Sequence, residues 1–141
     1  MKFNAMRDLD VDLLKQRAYA EAAEIFSKPS TRDGRTIDKI REAVMYGQAA
    51  EVYLVQHHNF TDDARPFKDV FNPVGEAVEV KVTEGDYYVP FVLKRCNEAA
   101  SQAWRKYASI LYIFIGDKSS LDYNLYGIYH WNGNNFIKEN E

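Results

Sequence analysis

The chain has little that would hold it together covalently or carry it across a membrane. Cys96 is the single cysteine among 141 residues. That excludes an intramolecular disulfide and fits a reducing, intracellular setting such as the cytoplasm. No apolar run reaches the ~18 residues that a membrane-spanning helix needs. The mixed, charged start MKFNAMRDLDVDLL does not read as a secretory leader. No internal repeat or low-complexity tract divides the chain. An excess of positive charge is missing too: the net charge is −3 and the pI about 5.6. A globally basic nucleic-acid binder is thereby excluded, so contact with a polyanion would need a local basic patch or a bound cation.

What is present suffices for one core. Hydrophobic residues make up 46% and aromatics 14%, and a domain of this length buries roughly 68% of its unfolded surface. One domain over residues 1–141 is expected. Residues 8–27 read as a helix, with Leu9, Leu13, Ala20 and Phe26 near helical spacing. Pro29 and Gly34 break it. A second helix is expected from Thr36, an N-cap, to about His57. Residues 59–93 read as strands, with Asn-Pro and Gly in NPVG marking a turn. A third helix is expected over 95–109. ILYIFIG, 110–116, reads as a buried strand ended by Gly116, and LYGIYHW, 125–131, as another. The order α-α-β-β-β-α-β-β implies an α/β or α+β fold with one mixed sheet.

Three features of the middle of the chain converge. In AVEVKV, 77–82, Glu79 and Lys81 stand two apart on one strand face. A hairpin about NPVG gives opposed partners whose numbers sum to about 148, which sets Asp69 opposite Glu79 with Cβ atoms roughly 5 Å apart. Two facing carboxylates repel unless a cation lies between them, and a slip of one residue would turn Asp69 to the other face. In the preceding helix, Ile37, Ile40, Val44, Gly47, Glu51 and Leu54 form one stripe. A glutamate in an apolar stripe is costly unless paired or metal-bound, and Gly47 would admit a close neighbour. Packing this stripe on the sheet is expected to bring Glu51 toward Asp69 and Glu79. Three carboxylates suit Mg²⁺, with Mn²⁺ able to substitute, whereas no Cys/His cluster suits zinc. A lysine beside such a site can orient a metal-bound water and face a phosphate.

Asp69, nine residues, then Glu79-Val80-Lys81, preceded by a helix bearing Glu51, resembles the signature of the PD-(D/E)XK nuclease superfamily. The resemblance spans 36–131 and implies a restriction-endonuclease-like core, α-β-β-β-α-β around a central mixed sheet. The helical segment within 1–30 would be an N-terminal extension. The Asp-to-Glu spacing and NPVGEAVEVK are similar to the small junction-cleaving enzymes, phage T7 endonuclease I and the archaeal Holliday junction resolvases. The passage YYVPFVLKRCNEAASQAWRKYA is similar to the strand-to-helix passage of the resolvases. The resemblance implies a Mg²⁺-dependent DNA endonuclease of junction-resolving, homing or restriction-like type, as in phages or mobile elements. Asp69, Glu79 and Glu51 would be metal ligands, Val80 a ligand through its carbonyl, and Lys81 the partner that orients the water. The chain departs from the pattern in having Lys68 before Asp69, with Pro66 three residues upstream, and Asp62 and Asp63 are rival aspartates. An RNA endonuclease, or a binding module of the same fold without catalysis, are the alternatives.

If the chain is a nuclease, Arg32, Arg35, Lys39, Lys94, Arg95 and Arg105 are the expected phosphate contacts, and Asn97 or Gln102 an auxiliary group for water or phosphate. A single site per chain that cuts two strands implies a homodimer or a higher symmetric assembly. No membrane partner is expected. Cys96 reads as a small core hydrophobe, His57-His58 as a helix end, and Tyr87, Tyr88, Trp104 and Tyr107 as core.

Overall fold

A computed structural model describes residues 1–62, 70–102, 104 and 106–140. In chain order the elements are β1 (Lys2–Asn4), α1 (Ala5–Asp8), α2 (Val11–Ser27), α3 (Pro29–Arg32), α4 (Ile37–His57), β2 (Thr61–Asp62) and β3 (Val70–Phe71). There follow β4 (Ala77–Thr83), α5 (Val89–Ala100), β5 (Ile110–Gly116), β6 (Asp122–Trp131) and β7 (Phe136–Lys138). Helix starts follow their caps. The Asp10 carboxylate accepts from Leu13 N, 3.1 Å, and Thr36 Oγ1 from Lys39 N, 3.2 Å. Each satisfies an N–H that has no partner within its helix.

The fold is a mixed α+β arrangement about one sheet, in the order β1-β6-β5-β4-β3-β2. β4 and β5 are parallel and joined through α5, and the other pairings are antiparallel. β1 and β7 both pair with β6, one near each of its ends. The hairpin register expected from NPVG is found: Val70 faces Val78 and Phe71 faces Ala77, each pair summing to 148. The turn is closed by Asn72, whose Oδ1 accepts from Glu76 N at 2.8 Å, and by Gly75 at φ 86°, a conformation natural to glycine.

Two clusters form the core, one on each face of the sheet. The larger joins α2 and α4 to Val70, Val78, Ile110, Phe114 and Tyr123. Phe3 lies at its centre, stacked between Tyr53 (centroids 4.1 Å apart) and Tyr123 (4.7 Å). Tyr123 OH donates to the Tyr46 carbonyl and Tyr46 OH to that of Gly116, both at 2.8 Å. A Cβ at Gly116 would stand 2.6 Å from the Tyr123 ring, so this close approach requires glycine. The smaller cluster packs Val89 and Cys96 of α5 on Leu111, Ile113, Tyr129 and Phe136. The N-terminal segment is thus built into the sheet and the larger cluster: Phe3, Leu14, Ala18 and Ala22 are all buried.

Residues 86–93 correct the strand reading of that stretch. Asp86–Tyr88 is a 3-10 turn running directly into α5, which ends at Ala100, not 109. The β-branched and aromatic residues suggested a strand, but Pro90 in the first helical turn and the spacing of Val89, Leu93, Cys96 and Ala100 favour a helix. Tyr87, Tyr88 and Trp104 are therefore not core: they are 74%, 50% and 80% exposed. Cys96 is buried as expected.

Candidate functional site

β4 separates its two faces by alternation. Val78, Val80 and Val82 belong to the larger cluster, on the α4 side. Glu79 and Lys81 pair in parallel register with Leu111 and Ile113, which belong to the cluster beneath α5. The two side chains meet: Lys81 Nζ lies 3.1 Å from Glu79 Oε1, with Lys81 the more exposed partner. Val80, pointing the other way, packs partly buried against the larger cluster.

Glu51 sits half-buried on α4. Its carboxyl is pushed up to about 8, first by burial, then by the negative charges of Glu79 and Glu21, while Arg17 and Lys81 act the opposite way. Glu51 thus lies within the electrostatic reach of the Glu79–Lys81 pair, although α4 covers the opposite face of the sheet. The reason given for Gly47 does not hold. A Cβ there would meet nothing within 4 Å among the described residues, so none of them explains it.

Asp69 lies outside the described residues, as do its rival Asp63 and the cation Arg105. The other rival, Asp62, is engaged by Arg17 at 3.0 Å. Among the described residues no three Asp, Glu, His or Cys side chains stand close enough together to hold a metal ion.

A polar seam between α2 and α4 was missed. Gln48 is buried, and its Nε2 donates to Glu21. Its Oε1 has no hydrogen-bond partner among the described residues. Burial raises the Glu21 carboxyl against that hydrogen bond. The Arg17 side chain, only 10% exposed, bridges to Asp62 on β2. Sequence carried a signal for these residues. Leu14, Ala18 and Ala22 recur at steps of four, and Arg17 and Glu21 lie directly beside that stripe, also four apart. The cation acting on Glu51 from the helical side is Arg17.

The expected phosphate contacts fall into two groups on opposite faces of the sheet. Arg32, Arg35 and Lys39 lie at the corner between α3 and α4. The Arg32 guanidinium rests 5.1 Å from the Phe26 ring centroid, and Arg35 is held by the Thr31 and Arg32 carbonyls. Arg35 and Lys39 line a cavity of about 510 Å³ with Tyr46, Lys118, Leu121 and Tyr123. Glu51, Glu79 and Lys81 are not among its walls. Lys94 and Arg95 stand exposed on α5. Asn97 has a structural task, its Oδ1 accepting from Phe136 N at 2.8 Å and tying α5 to β7. Gln102 is exposed just past the end of α5.

His57 Nε2 contacts the Asp8 carbonyl at 2.7 Å and His58 Nε2 the Tyr53 hydroxyl at 2.9 Å. Both serve the end of α4. No protein-family model, curated protein or solved structure matches this chain. No helix among the described residues is long and apolar enough to cross a membrane.

Proposed function

We propose that the chain is a Mg²⁺-dependent DNA endonuclease with a PD-(D/E)XK site formed by Glu51, Asp69, Glu79 and Lys81. The observation that carries the reading is the Glu79–Lys81 pair at 3.1 Å on β4, the strand that β3 pairs with antiparallel, Val70 against Val78 and Phe71 against Ala77. The order of elements supports it: α4, the antiparallel run β2-β3-β4, the crossover α5 and then β5 parallel to β4. That is the order the resemblance implies for a restriction-endonuclease-like core.

The donor set is all oxygen, as Mg²⁺ prefers. Asp69, Glu79 and the Val80 carbonyl would hold the ion, and Glu51, on α4 across the sheet, would act on it through its charge. A carboxyl pushed up to about 8 by burial and by neighbouring carboxylates is a group whose ionisation a divalent cation would favour. A bound Mg²⁺ neutralises charge on the scissile phosphate and lowers the pKa of the attacking water. The protein supplies the rest. Lys81 Nζ lies beside Glu79, where it can donate to a water or to a phosphate oxygen. Leu111 and Ile113 fill the neighbouring positions of β5 with apolar side chains. Glu51 adds negative charge at the ion only once it has released its proton, so activity is expected to rise toward alkaline pH. A symmetric homodimer would supply the second site needed to cut two strands.

The test is cleavage of supercoiled plasmid, linear duplex, single strand and a four-way junction, each with Mg²⁺ and with EDTA. Metal-dependent cutting that Lys81→Ala abolishes supports the reading. No cutting of any of them, with Mn²⁺ as well, turns attention to RNA as substrate or to a binding role without catalysis.

A further inference from the structure

On the helix that covers the Glu79–Lys81 face, and in the turn that leads into it, the protein displays aromatic rings that its core does not use. Tyr87 is 74% exposed, Phe91 56% and Tyr88 50%. They are contiguous: the Tyr87 ring lies 5.3 Å from that of Tyr88, edge to face, and 6.1 Å from that of Phe91. Large exposed apolar groups grouped in this way mark contact surfaces. The rings are carried on stiff backbone, a 3-10 turn entering α5 with Pro90 in its first turn, and no side chain caps the N–H groups there. One helical turn beyond Phe91 stand Lys94 and Arg95, both exposed, with no ion-pair partner among the described residues. The same helix covers the sheet face on which Glu79 and Lys81 lie.

We infer that the outer surface at the start of α5 binds single-stranded nucleic acid, with Tyr87, Tyr88 and Phe91 stacking on unpaired bases and Lys94 and Arg95 on the phosphates beside them. Ring faces on a convex helix cannot reach the bases of an intact duplex, whose faces are covered by their neighbours. They can stack on bases that have no partner, and this needs no particular sequence. The positive end of the helix dipole favours the backbone in the same place. Exposed cations one turn from the rings complement a polyanion, and a second copy of the chain is an outcome of the test below. The inference rests on the nuclease reading, because it names the form of strand that would be led toward Glu79 and Lys81.

Binding measured in EDTA separates the two. Fluorescein-labelled oligothymidylate and a labelled duplex are titrated with the full chain and with a Tyr87→Ala/Phe91→Ala variant. Fold is checked by circular dichroism and mass by sedimentation. The wild-type chain is expected to prefer the single strand, and the variant to lose about tenfold or more of that affinity while holding the duplex unchanged. Lys94→Gln/Arg95→Gln is expected to flatten the salt dependence instead. Equal single-strand binding by wild type and the ring variant overturns the inference. So does a ring variant that turns a dimer into a monomer while binding single strands as before, since the surface would then be an interface between copies. A chain that binds through the rings but never cuts with Mg²⁺ retains this inference and loses the nuclease reading; cutting without ring-dependent binding does the reverse.

Discussion

On one side of the sheet lie two long helices, α2 and α4, over a cluster with a three-ring stack through Phe3 at its centre. On the other lies α5 alone, of 12 residues, over a smaller cluster. Its outer surface carries bare aromatic rings and exposed cations. The Glu79–Lys81 pair belongs to this second side. The thick side has what stability needs, apolar area and ring packing. The thin side keeps polar and aromatic groups where another molecule can reach them. Such a division lets chemistry be changed on one face with small cost to the fold.

That division can be broken in order of effect. Lys81→Ala is expected to lower cleavage by about 10²–10⁴-fold yet to cost less than about 1 kcal/mol of stability, because its ion pair is exposed. Plasmid nicking and urea unfolding on the same sample measure both. Phe3→Ala is the counterpart on the thick side. Removing a fully packed ring costs about 3–5 kcal/mol, read as a lower urea midpoint.

Glu51 gives a pH signature. Its folded carboxyl sits at about 8, above the ordinary value of 4.5, so between those values the unfolded chain releases a proton that the folded chain keeps. Stability therefore falls as pH rises through this window, by at most about 1.4 kcal/mol per unit. Glu51→Gln is expected to remove that slope and to be the more stable protein at pH 8 in EDTA. Parallel urea curves for both proteins at pH 5 and pH 8 would refute this. Last and smallest, Gly47→Ala is expected to stabilise α4 by about 0.8–1.0 kcal/mol, since the new methyl meets nothing within 4 Å among the described residues. A loss of thermal stability would mean that something unseen approaches there.

Where local chemistry was decisive, sequence was enough. Thr36 caps α4 and places its start; ILYIFIG is too continuously apolar to be anything but buried; Asn72 and Gly75 define a turn that sets the hairpin register. Legibility ended where two periods competed, as in YYVPFVL, whose composition suits a strand and whose spacing suits a helix. It also ended where partners are distant. Nothing near Arg17 or Glu21 announces Gln48 and Asp62, and no pattern in KFN announces a strand. Of the candidate site, Glu79 and Lys81 meet as expected. Glu51 reaches them through its charge from the other face, because helical stripes reveal which residues turn inward but not which face of the sheet receives them.

The pairing of β1 with β6 has a consequence for the order of events during synthesis. Asn4 and Asp122 are hydrogen-bonded although 118 positions apart, and the Phe3 ring stacks on Tyr123. The first strand leaves the ribosome early but has no edge to join until β6 follows it. Up to that point Phe3 and its partner Tyr53 have one face uncovered, and a nascent chain with such a face relies on chaperones or on speed. A ribosome-stalled chain ending before β6 should therefore be cut readily by protease near its N-terminus, and one extended past β7 should resist.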